Sequence, residues 1–131
     1  MRAVAKRQDG AFKHRVEMGA HWITADEPED SGGHDEGPSP QDLLAGSLAS
    51  CTAITIEMYA TRKGWNIGDV AVDVDYEPAQ RGSPTKFKMK VLLPTELPEE
   101  QRERLMQIAA KCPVHRTLEG EVMFDENVEL I

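Results

Sequence analysis

The stretch Pro40-Gln41-Asp42-Leu43-Leu44-Ala45-Gly46-Ser47-Leu48-Ala49-Ser50-Cys51-Thr52-Ala53-Ile54-Thr55-Ile56-Glu57-Met58-Tyr59-Ala60-Thr61-Arg62-Lys63 decides the fold. Ser39 is placed to N-cap a helix, Pro40 suits its first position because the missing N–H is an orphan there anyway, and Asp42 completes a capping box. Gly64 is the stop. From Leu43 to Ile56 no residue is charged, and apolar side chains fall on every face rather than in one stripe. That pattern describes one long helix over residues 40–63, covered all round, with Cys51 at its middle.

A helix of 24 residues at about 1.5 Å each is roughly 36 Å long, enough to cross a bilayer. Its uncharged part is only 14 residues, rich in Ala, Ser, Thr and Gly, and flanked by Asp42 and Glu57. Such a segment suits the central helix of a soluble core, where small residues let other backbones approach closely. The 131 residues suffice for a single domain over 1–131, but full cover for so long a helix asks for much sheet or a second copy of the chain.

The formal net charge is -8, and Asp26, Glu27, Glu29, Asp30, Asp35 and Glu36 lie together with no Lys or Arg among them. Such a surface repels phosphate backbones, and no basic stripe is present, so neither nucleic acid nor an anionic membrane is an expected partner. Met1 to Gly10 carries Arg2, Lys6 and Arg7 with no apolar run behind them, which does not read as a signal peptide. The two cysteines are 61 residues apart. Reduced thiols in a cytoplasmic protein are therefore expected. No zinc spacing, C-x-x-C pair or phosphate-binding glycine loop appears, and His34-Asp35-Glu36 reads as solvated loop rather than a metal site.

Residues 3–5, 12–18 and 21–24 read as an antiparallel meander turning at Asp9-Gly10 and Gly19-Ala20. Residues 26–39, with their prolines, glycines and acids, form a loop leading to the long helix. Residues 70–76 and 86–92 alternate apolar and charged positions and make a hairpin around a turn at 78–84, with Asp73 and Asp75 facing lysines. A second helix spans 95–111, its Glu100 and Arg104 spaced as an ion pair, with Leu105, Ile108, Ala109 and Cys112 on one face and Pro113 as its end. Residues 121–130 read as a last strand.

Taken singly, each cysteine reads as a small core hydrophobe. Both lie on core-facing sides of the two predicted helices, and helices that pack could bring the sulfurs together. Two-cysteine peroxidase chemistry needs that meeting: one thiolate attacks a peroxide and becomes a sulfenic acid, and a second thiol resolves it. Cys51 lies about three turns into its helix, beyond reach of the dipole, so a cation from elsewhere must hold its thiolate. Arg7, Arg15, Arg116 and His115 are the candidates.

The segments Gly37-Pro38-Ser39-Pro40-Gln41-Asp42-Leu43-Leu44, Leu48-Ala49-Ser50-Cys51-Thr52-Ala53, Lys63-Gly64-Trp65 and Ala109-Ala110-Lys111-Cys112-Pro113-Val114-His115-Arg116-Thr117-Leu118 resemble the OsmC (osmotically inducible protein C) family and its organic hydroperoxide resistance (Ohr) relatives. The resemblance implies an α+β fold whose antiparallel sheets wrap two long central helices in an intertwined homodimer, with active sites at the interface. It implies Cys51 as peroxidatic and Cys112 as resolving cysteine, organic hydroperoxides as substrates, a dithiol reductant such as a lipoylated protein, and no bound cofactor. Family peroxidases stabilise the thiolate with an N-terminal arginine, here matched to Arg7, held by a glutamate ten residues before the first cysteine. That position is Gln41, an amide that brings no charge. A buried pocket between subunits, lined by Leu44, Leu48 and Met58 and favouring apolar substrates, is expected. Two other classes fit the same residues: a non-catalytic stress-response dimer holding an apolar ligand, and a thiol redox sensor.

Overall fold

The computed structural model describes residues 1–131, which divide at Gly46 into two units. The first contains an antiparallel sheet of β1 (Ala3–Arg7), β2 (His14–Met18) and β3 (His21–Ala25) in that order. Its register pairs Arg7 with His14 and Met18 with His21, as expected for a meander with a tight second turn. β2 starts at His14 rather than Phe12 because residues 8–13 close the first turn. There Gln8 N–H donates to the Lys13 carbonyl at 2.9 Å, and the Arg7 guanidinium donates to the carbonyls of Gly10 and Ala11 at 2.8 and 2.9 Å.

The acidic loop contains one 3₁₀ turn, Glu29–Ser31, and is organised by a buried carboxylate. Asp26 is 3 % exposed. It accepts backbone N–H groups from Glu27 at 2.8 Å, Glu36 at 3.2 Å and His34 at 3.3 Å. Burial works against its charge, but the three donors outweigh burial and hold the carboxyl below its ordinary value. The loop winds tightly enough that a Cβ at Gly33 or Gly37 would collide with the carbonyls of Glu27 or Thr24.

The long helix α1 is Pro40–Lys63, as the sequence indicates. Its capping box is complete: Asp42 N–H donates to Ser39 Oγ at 3.1 Å, and Ser39 N–H donates to the Asp42 carboxylate at 3.0 Å. At the other end Gly64 has φ +70°, its N–H donates to Thr61 O, and Trp65 N–H reaches back to Ala60 O. This is a Schellman ending, with the edge-on contact of Tyr59 and Trp65 as its apolar clasp. The expected all-round burial is not what one chain provides. Only Leu48, Thr52, Ile56 and Ala60 are buried, a single stripe at four-residue spacing, while Ile54 and Met58 are more than half exposed. Apolar composition on every face shows what a helix can bury, whereas one chain has only enough neighbours for one side. By length and composition α1 is the one helix able to cross a membrane, but its stripe packs into a protein core.

In the second unit β4 (Ala71–Glu77) and β5 (Lys86–Leu92) form the hairpin, with Asp73 opposite Lys90 and Asp75 opposite Lys88. Tyr76 and Phe87 stack on its apolar face. The second helix, α2, is Glu99–Ala109, shorter than the predicted 95–111 because Pro98 occupies the N-cap position and the chain tightens after Ala109. Arg104 does not pair with Glu100; it donates instead to the Tyr59 hydroxyl and to Gln107, both at 2.9 Å. The core joins Ile56 and Ala60 of α1 to Ile67, Leu97, Leu105 and Ala109.

The preceding helix ends at Ala109, ahead of Pro113, and Pro113 instead begins α3, Pro113–Glu119, which the sequence reading missed. A proline at the first helical position is pre-set for a helix, and its missing N–H is an orphan there anyway. The predicted strand at 121–130 is absent: these residues carry no ladder and are exposed, Phe124 at 80 % and Val128 at 89 %. Alternating apolar residues form a strand only where an edge accepts their backbone groups.

Leu105→Ala is expected to lower unfolding stability by about 2–5 kcal/mol in urea titrations, while the neighbouring exposed Met106→Ala stays within about 0.5 kcal/mol. Because the Asp26 carboxyl is held low, its contribution is present above the ordinary carboxylate range and lost as pH falls through the lower folded value. Asp26→Asn is therefore expected to be less stable than wild type at neutral pH, with the gap closing below about pH 4; a constant gap from pH 7 to 2 would contradict this.

Candidate active site

The end of α2 positions the second cysteine. Lys111 N–H donates to Ile108 O at 2.9 Å and Cys112 N–H to Ala109 O at 3.4 Å, a tightened last turn that carries the apolar face one residue further. Cys112 is fully buried and is itself the N-cap of α3, its Sγ accepting the His115 backbone N–H at 3.2 Å. Thiol sulfur here takes the place that a serine oxygen usually fills. The same sulfur lies 3.6 Å from Thr52 Oγ1, and Thr52 is also fully buried.

Thr52 directly follows Cys51 on α1. Successive helical side chains are turned by about 100°, so when Thr52 faces the core Cys51 stands at the margin of the buried stripe. Cys51 is accordingly half-buried, and both thiols are free. The structure thus seats the Cys112 sulfur against the residue beside Cys51, one thiol within reach of solvent and the other closed off.

The remaining expected site residues are distributed as follows. Arg7 is exposed and engaged with its own turn, Gln41 is exposed in the first turn of α1, and Leu44 is half-buried. Arg15 lies over the Trp22 ring at 4.3 Å. Leu48 is buried whereas Met58 is 59 % exposed in one chain. Met58 borders an open groove of about 440 Å³ with Ile54, Glu57, Thr61 and Arg62. Arg116 is exposed, and His115 has Nδ1 3.0 Å from the Glu119 carboxylate, out of line for a hydrogen bond. Within the second unit the polar contacts to a cysteine sulfur are neutral, and they go to Cys112 rather than Cys51.

No group of three His, Cys, Asp or Glu side chains is placed to hold a metal ion. A polar cleft of about 550 Å³ lies where α1 ends against α2, containing Tyr59, Lys63, Trp65 and Arg104. Arg104, by hydrogen bond and by charge, lowers the Tyr59 hydroxyl below its ordinary value. Sequence inspection missed Thr52 because nothing marks a threonine among Ser, Ala and Thr as the one turned inward. Its spacing of four from Leu48 and Ile56 was the available signal.

The fold has known counterparts. The family model for OsmC-like protein matches residues 33–127. The chain therefore belongs to the OsmC family, and its α+β architecture is the OsmC-like fold. Among solved structures it is similar to a Psychrobacter arcticus protein described as an osmotic stress induced and detoxification response protein, at 25 % identity and TM-score 0.74, covering 88 % of this chain and 85 % of that one. It is also similar to a Legionella pneumophila organic hydroperoxide resistance protein OsmC, at 24 % identity and TM-score 0.61, covering 92 % and 90 %. A third is a Vibrio cholerae protein described as an organic hydroperoxide resistance protein with captopril bound in one of its active sites, at 20 % identity and TM-score 0.63, covering 92 % and 85 %. No curated protein sequence matches the chain.

Brief treatment of the native protein with iodoacetamide is expected to label Cys51 at least about tenfold faster than Cys112, read by peptide mass spectrometry, because access limits the buried thiol. Equal labelling would contradict the burial difference.

Proposed function

We propose that this protein is a homodimeric thiol peroxidase that reduces organic hydroperoxides. The observation that carries the reading is the contact of the buried Cys112 sulfur with Thr52, the neighbour of the more accessible Cys51. Family membership and the names of several structural relatives, organic hydroperoxide resistance proteins, support a peroxide-related redox role in stress response.

The chemistry runs in three steps. The Cys51 thiolate attacks the outer peroxide oxygen, the O–O bond breaks, and the alkoxide takes a proton and leaves as the alcohol, giving Cys51 sulfenic acid. The Cys112 thiol then attacks the Cys51 sulfur, water leaves, and a disulfide forms. A dithiol, such as a lipoyl group, returns both cysteines to thiols and is itself oxidised to a cyclic disulfide. Arg7 and Gln41 take the thiolate-stabilising roles by resemblance to the family. With Gln41 uncharged, the expected stabilisation is weaker than a glutamate would support.

A second subunit would supply the cover that α1 lacks. Ile54 and Met58 on its open face, and Val122, Met123, Phe124, Val128, Leu130 and Ile131 in the C-terminal segment, are exposed in one chain. Apolar surface of this extent favours association. A homodimer of twice the 14.6 kDa chain mass is expected in light scattering at micromolar concentration, and a monomer would remove the subunit interface from the proposal.

Reduced protein mixed with one equivalent of an organic hydroperoxide is expected to lose two thiols much faster than free cysteine does. Cys51→Ser should abolish the fast loss, Cys112→Ser should stop it at Cys51 sulfenic acid, and Arg7→Ala should slow the first step about tenfold. Loss no faster than free cysteine would overturn the peroxidase assignment.

A further inference from the structure

The Thr52 hydroxyl has one hydrogen and two neighbours that compete for it. Its oxygen is 2.8 Å from the Leu48 carbonyl and 3.6 Å from Cys112 Sγ. A carbonyl has no hydrogen to give, so the shorter contact uses the hydroxyl proton. While it does, the contact with sulfur is completed by the Cys112 S–H directed at the hydroxyl oxygen. When Cys112 loses its proton the hydroxyl can turn from Leu48 and donate to the thiolate instead.

We propose that Thr52 is a positioning residue for Cys112, bonded to its sulfur in both the thiol and the thiolate form and so easing ionisation of a buried nucleophile as it attacks Cys51. The inference rests on the assignment of Cys112 as the resolving cysteine and deepens it. A buried thiolate has no water to solvate it, and the donors available in its place are the Thr52 hydroxyl and the His115 backbone N–H. The second is fixed by the start of α3 and cannot reorient. The first can, because it holds an alternative acceptor one helical turn back. Thr52 also joins the two cysteines mechanically: it belongs to the same rigid helix as Cys51 and touches the sulfur of Cys112.

The test uses 5,5′-dithiobis(2-nitrobenzoate) in place of hydroperoxide, so that resolution is observed whether or not the protein is a peroxidase. Attack by Cys51 releases one thionitrobenzoate and leaves a mixed disulfide. Attack by Cys112 on the Cys51 sulfur then releases a second thionitrobenzoate and a proton, and closes the Cys51–Cys112 disulfide. Wild type should show both phases, and Cys112→Ser only the first. The second phase, divided by the first, is expected to fall about tenfold in Thr52→Val and Thr52→Ala and to stay within about twofold of wild type in Thr52→Ser. Should the valine variant fail to fold, the alanine and serine pair carries the same contrast. An unchanged ratio in valine or alanine, or an equal fall in serine, overturns the role of the hydroxyl. Absence of a second phase in wild type overturns it together with Cys112 as resolving thiol. Two phases with this reagent, but no fast reaction with hydroperoxide, would remove the peroxidase assignment and leave Thr52 in place.

Discussion

Four side chains at four-residue spacing, Leu48, Thr52, Ile56 and Ala60, bind α1 to the core along a single stripe. Three are apolar and supply burial; the fourth is polar and must find partners, because an unpaired buried hydroxyl costs on the order of 1–3 kcal/mol. It finds them in the Leu48 carbonyl and the Cys112 sulfur. The stripe therefore sets the rotation of α1, the rotation sets which residue lies beside the second cysteine, and Cys51 is left at the stripe's margin.

The two thiols differ in their surroundings, a difference that the proposed sequential chemistry would use. A peroxidatic sulfur must be reached by substrate, and Cys51 is half-buried. Cys112, proposed as the resolving sulfur, is fully buried with the His115 backbone N–H and the Thr52 hydroxyl beside it. The tightened turn after Ala109 and the proline that begins α3 are the local devices that hold it there. Neither depends on charge, which suits a site closed to solvent, where an unpaired ion would be costly.

Much of this was legible in the chain because local chemistry decides it. The Ser39–Asp42 box and Gly64 mark the ends of α1 to the residue, and the alternation through residues 70–76 and 86–92 marks the hairpin and its charge pairing. Features decided by tertiary surroundings were not. Whether apolar residues all around α1 are buried depends on how many neighbours one chain can supply, and whether residues 121–130 form a strand depends on an edge to pair with. Pro113 reads equally as a helix end and a helix start. Arg104 took the Tyr59 hydroxyl and the Gln107 amide oxygen over Glu100, since a solvated ion pair is worth little. Asp26 looked like one acid among six until its loop folded three backbone donors around it. In the site the cysteines were evident, whereas Thr52, next to Cys51 in sequence and in contact with Cys112, was not.

In the proposed mechanism Cys51 and Cys112 of one chain form a disulfide. That step is tested most directly by oxidising the protein with one equivalent of an organic hydroperoxide, blocking remaining thiols, and mapping the peptides without reduction. A single linked pair joining Cys51 to Cys112 within one chain is the expected product. Over-oxidised Cys51 with Cys112 still free, or a disulfide joining Cys51 of two chains, would contradict it.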